Sequence, residues 1–150
     1  MGQRWSLAAV AAIVLVGAAG CGSDDSAPLT SAEFRAQAEA ICRKTNTRVE
    51  GVRFPVEVAG FRKWAIDVKA IQDEGLDQLE EVNPPKDAQP SFDELRAALS
   101  RLSDLTQTAA QRVVARDEAG VRSVNATIAE QQKAITQLAT ELGVRGCSST

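Results

Sequence analysis

The sequence predicts an all-α protein, an antiparallel four-helix bundle that follows a cleaved amino-terminal leader and a short tether. Three observations predict it. Apolar residues recur at three- and four-residue spacing in four successive segments beyond position 30, helix-capping signals and Pro or Gly breakers separate those segments, and no useful length of apolar–polar alternation occurs. From Cys21 onward there are 30 Val, Ile, Leu, Phe and Trp residues, enough for one thin Ala-rich core and not for two domains.

The leader occupies residues 1–20. Arg4 and the amino terminus make a short basic start, and Ser6 to Val16 is an apolar run. A run of this length falls short of the roughly 20 residues that a spanning helix needs, and it has the form of a secretory signal. Its end, Ala18-Ala19-Gly20-Cys21, resembles a bacterial lipobox, with Ala18 where Leu is commoner. The motif implies peptidase cleavage before Cys21 and lipid on its sulfur, so the expected partner is the membrane, reached through that lipid. Residues 21–30 are then a lipidated Cys and a flexible tether, small and acidic in GSDDSAPL. The bundle domain takes 31–150.

The first helix, 31–51, opens on a capping box, Thr30-Ser31-Ala32-Glu33, with Leu29 and Phe34 placed as a hydrophobic staple. Its stripe is Phe34, Ala38, Ile41, Cys42, Thr45, Val49 and Val52, and Gly51 and Pro55 end it. The second, 59–82, carries Phe61, Trp64, Val68, Ile71, Leu79 and Val82 and stops at Pro84-Pro85. Gly75 inside it costs roughly 1 kcal/mol relative to Ala. The third, 91–115, is predicted to open on a second capping box, Ser91 to Glu94, and to run through Leu95, Leu99, Leu102 and Val113. Asp117 is the expected cap of a fourth helix that ends at Gly143. One continuous helix of about 50 residues is the alternative to this break, but without partners of similar length its apolar stripe would be exposed.

Three Cys is an odd number for an exported chain. With lipid on Cys21, Cys42 and Cys147 remain, and an oxidising compartment favours a disulfide between them. The topology permits it. Cys42 lies roughly 16 Å along the first helix, and the tail from Gly143 to Cys147 spans at most about 14 Å.

The lipobox leader, EFRAQAEAICR on the first helix, the PP turn after LEEVN and the terminal LGVRGC together resemble small actinobacterial lipoproteins of uncharacterised function. The resemblance extends over essentially the whole chain after the leader. It implies a secreted helical domain and brings no reaction, substrate or catalytic residue with it.

Composition narrows the chemistry. The absence of His removes the usual general base, the usual zinc ligand and the Glu-x-x-His signature of di-iron bundles. A net charge of −3 gives no footprint for nucleic acid. The acidic group Asp73, Glu74, Asp77, Glu80 and Glu81 reads as a solvated helix face rather than a calcium site. Arg43, Lys44, Arg48 and Arg53 could meet acidic polymer or lipid headgroups, and Arg62, Lys63 and Lys69 add positive charge, but with acids interleaved they read as ordinary surface charge. Trp64 reads as core. No Ser-x-x-Lys pair, nucleophile elbow or phosphate loop occurs, and no cofactor is expected. The expectation is a non-enzymatic, lipid-anchored extracytoplasmic binding or interaction module. A carrier of an apolar ligand and a carboxylate-based cell-wall hydrolase are the alternatives, to be separated by an apolar cavity or by two carboxylates facing each other across a cleft.

Overall fold

The computed structural model describes residues 27–148. The expected leader, Cys21 and the tether as far as Ser26 lie outside the described residues. Within them are four α-helices and no strand: α1 (Ser31–Glu50), α2 (Phe61–Glu80), α3 (Gln89–Val114) and α4 (Glu118–Leu142). Short 3₁₀ turns, Val58–Gly60 and Arg145–Cys147, precede α2 and follow α4.

Local chemistry sets the helix ends. At α1, Glu33 N–H donates to Thr30 Oγ1 at 3.3 Å and Thr30 N–H donates to Glu33 Oε2 at 3.0 Å, the reciprocal cap that the sequence predicts. The break after α3 is real. Arg116 N–H donates to the Val113 carbonyl and Asp117 N–H to that of Arg112, the paired bonds of a Schellman ending, with Arg116 itself left-handed at φ 57°. Asp117 then caps α4, its Oδ1 accepting from Gly120 N–H at 2.9 Å. At the far end of α4, Gly143 takes φ 73° and Val144 N–H donates to the Ala139 carbonyl at 2.8 Å. Val144, carried inward by that ending, is fully buried.

One predicted cap is wrong. α3 begins at Gln89, two residues before the expected box, and no side chain caps it. The Pro85 carbonyl accepts from the N–H groups of both Ala88 and Gln89, which starts the helix early. Pro90 suits the first turn because its missing N–H has no intrahelical partner to lose.

The helices pack in chain order, α1 on α2, α2 on α3 and α3 on α4, whereas α1 reaches α4 mainly through the C-terminal 3₁₀ turn. The antiparallel register of α1 and α2 is visible in three places. Leu29 N–H donates to the Asn83 carbonyl at 2.9 Å, Thr45 meets Gly75, and Arg48 pairs with Glu74 at 2.7 Å. The main core gathers at one end of the bundle, around Phe34, Leu79, Phe92, Leu95, Ile135 and Val144. Phe34 and Phe92 meet edge to face with centroids 5.0 Å apart.

Gly75, a weak point by propensity, is where α1 comes closest to α2. A Cβ there would collide with Thr45 Oγ1 and stand 2.9 Å from its Cγ2. Gly75→Ala should therefore destabilise the domain by about 1–3 kcal/mol through overpacking, despite its better helix propensity. Adding Thr45→Ala should restore most of the loss in a double-mutant thermal melt. A single variant as stable as the parent would show that the helices part freely.

Three surface carboxylates make stability acid-sensitive. Glu33 lies below its ordinary 4.5 because of the Thr30 hydroxyl and then the Thr30 N–H. Glu74 lies below the same value because of Arg48. Asp117 lies below 3.8 through the Gly120 N–H and then Arg112. Depressed folded-state values stabilise the fold fully above the ordinary pKa, and that contribution goes as pH falls through the lowered values. The melting temperature should thus be level above pH 4.5 and decline progressively below it, less steeply in Asp117→Asn. A flat profile through that range would contradict the assignment.

Candidate functional site: an interhelical cleft

The C-terminal tail runs between α1 and α4. Gly146 N–H donates to Glu39 Oε2 at 2.9 Å, Asn46 Nδ2 donates to the Gly146 carbonyl at 2.9 Å, and Cys147 is bonded to Cys42 with Cα atoms 4.8 Å apart. The predicted disulfide is present. Its reach is easier than the sequence estimate, because Gly143 already lies against Arg35, about 10 Å short of Cys42 along α1. A Cβ at position 146 would stand 2.8 Å from Arg43 Cγ, so any larger residue there would force the Arg43 side chain to shift.

Beyond this inserted tail α1 and α4 stay apart, and a cleft of about 260 Å³ opens between the helices. The disulfide is part of its lining. Val49, Trp64, Val68, Leu76, Leu99 and Leu102 give it mostly apolar walls, and Thr45, Asn46, Gln72, Thr106 and Gln132 add polar groups. Asn46 is held by the tail, and Thr106 Oγ1 donates to the Leu102 carbonyl at 2.9 Å. Gln72 differs: its Oε1 is buried with no hydrogen-bond partner. A buried amide oxygen left unpaired costs about 1–3 kcal/mol, which a donor on a bound molecule would recover.

Trp64 is only half buried. It stands in the cleft wall and meets Phe54 at 5.3 Å between centroids, so the core role expected for it holds in part. The acidic group on α2 does not converge on an ion site. Lys69 takes Asp73 at 2.8 Å, Arg48 takes Glu74, and Arg96 takes Glu80 at 3.5 Å. Among the described residues no group of three His, Cys, Asp or Glu is placed to hold a metal ion. Glu50 is the one carboxylate in the cleft wall, so the facing pair that a glycoside hydrolase needs is not found there. The sequence reading missed the cleft itself. Its one advance signal was the late Gly146-Cys147 pair, which draws the tail in between two helices.

Fold and cleft together define a disulfide-closed helical bundle with a small apolar site between its helices. Comparison with family models, with curated proteins and with solved structures finds no match to the chain.

Proposed function

We propose that this chain is a lipid-anchored extracytoplasmic binding protein whose interhelical cleft takes a small apolar molecule carrying a hydrogen-bond donor. The observation that carries the reading is the apolar cleft with the unpaired Gln72 oxygen in its wall. Ligand sites are mostly apolar concavities with a few placed polar groups, and they often lie between the helices of bundles. The pairing of Cys42 with Cys147 leaves Cys21 as the single remaining thiol, which supports lipid at that position and an oxidising compartment. No described helix is long and apolar enough to cross a membrane.

The cleft is tested with N-phenyl-1-naphthylamine, a neutral apolar dye with one N–H. Its fluorescence should rise on binding with one site per chain. Leu99→Trp, which fills the cleft, should weaken binding about tenfold or more, equivalent to about 1.4 kcal/mol. Equal dye binding by parent and variant would place the site elsewhere. The anchor is tested separately: Cys21→Ala should move the protein from the membrane fraction to the medium or to uncleaved precursor. Unchanged fractionation would remove the lipobox reading and leave the cleft standing.

A further inference from the structure

The connection between α1 and α2 carries an apolar surface that neither the core nor the cleft uses. Phe54, Val56 and Val58 are 62%, 99% and 44% exposed, and Ile66 on the first turns of α2 is 56% exposed. The connection is nevertheless a built structure. Phe54 meets Phe61 and Trp64 edge to face at 5.2 and 5.3 Å, and Pro55 packs so closely on Gly60 that a Cβ there would stand 2.8 Å from Pro55 Cβ. That folding holds Val56 out in water, at a cost the domain does not recover within itself.

Three cations, Arg53, Arg62 and Lys63, accompany this surface in residues 51–64 against one acid, Glu57, although the whole chain is net negative. Lys63 is paired with Asp67 at 2.6 Å, whereas Arg53 and Arg62 have no ion pair among the described residues. An aromatic cluster with a projecting aliphatic tip and unpaired arginines beside it matches the chemistry of a bilayer interface, where rings sit at headgroup depth and cations meet anionic lipid. The tether permits the approach. From Cys21 to Leu29, which its hydrogen bond to Asn83 fixes on the bundle, eight residues reach at most about 29 Å, and α1, with 20 residues, is about 30 Å long. The connection can therefore meet the membrane that holds the lipid with the bundle inclined toward it, not standing on its far end.

We infer that the Phe54–Trp64 connection is a membrane-docking surface for anionic lipid, inserting Phe54 and Val56 while Arg53 and Arg62 meet phosphate. The inference rests on the anchor reading only for recruitment, and it brings Trp64, which stands in the cleft wall, to the lipid surface.

The test uses the full chain carrying Trp5→Phe, so that Trp64 is its single indole, purified from membranes and reconstituted in vesicles. The vesicles are phosphatidylcholine alone or with phosphatidylglycerol, each with acyl chains brominated. Flotation reports recruitment, and quenching of Trp64 by bromine reports docking. Quenching should be strong on anionic vesicles, weak on neutral ones, and lost in Val56→Ser, a fully exposed site whose change leaves packing intact. Arg53→Gln with Arg62→Gln should lower the docked-to-undocked ratio about 25-fold, about fivefold for each cation. Thermal melts of the variants should match the parent. Flotation without quenching would overturn the docking surface and leave the anchor intact. Quenching in a chain whose mass shows no lipid on Cys21 would overturn the anchor and retain the surface. Equal quenching on neutral and anionic vesicles, or a patch covered instead by concentration-dependent self-association in the absence of lipid, would overturn the inference.

Discussion

Reduction of the Cys42–Cys147 bond is expected to lower the melting temperature by well over 10 °C. The bond closes a loop with a sequence separation of 105, worth about 4–5 kcal/mol on the chain-entropy account, and a domain of this size moves roughly 3–6 °C per kcal/mol. Cys42→Ser and Cys147→Ser should each reproduce the shift, and the double variant should add nothing, because each removes the same bond. Dye binding should weaken with it, since the two Cys residues line the cleft and the tail that keeps α4 from α1 is fastened there. Intact mass of the unreduced protein with both thiols free would contradict the bond. An unchanged melt after complete reduction would contradict its energetic role.

The second large effect is expected from Phe92→Ala. The ring is fully buried, meets Phe34 edge to face, and has the Arg96 guanidinium carbon 6.0 Å from its centroid. Truncation removes the apolar transfer energy and leaves a cavity in a core with little to collapse into it, at about 3–5 kcal/mol. Phe92→Leu keeps much of the volume and should cost far less. Chemical denaturation checks both, and a loss under about 1 kcal/mol for the Ala variant would show that the neighbouring helices close the gap. The single-end placement of the core makes the same prediction directional. Truncating Val68, at the cleft end, should disturb dye binding in addition to stability.

Much of this architecture is legible in the sequence because its signals are local. Thr30 and Glu33 are three residues apart, and Asp117 caps the start of α4 while Gly143 ends that same helix, so each end is specified within a single turn. The Cys42–Cys147 bond is non-local, yet the expectation of export and an odd thiol count narrow its choice. What local reading could not supply are contacts between residues far apart in the chain. Gly75 looks like a weak helix position until Thr45 is found against it, and Gly146 looks like a loop residue until it is seen pressed on Arg43. The start of α3 was misplaced because a backbone carbonyl, that of Pro85, did the work expected of Ser91. The cleft follows from the same limit. Its walls are ordinary helix-stripe residues, and only the inserted tail makes them a site.

The Cys42–Cys147 bond also decides where mechanical load would travel. It welds α1 to the tail and encloses all of α2, α3 and α4 in a covalent ring. A pull on the amino-terminal end of the domain, opposed at the carboxyl-terminal end, would extend only residues 27–42 and the last residue or two. That is at most about 60 Å of chain, against roughly 400 Å once the bond is cut. The ring holding most of the cleft would bear the force without lengthening. A protease that nicked the chain anywhere within the ring would still leave both fragments joined. For a protein proposed to sit on a cell surface by a single thread, the latched part is the part proposed to bind.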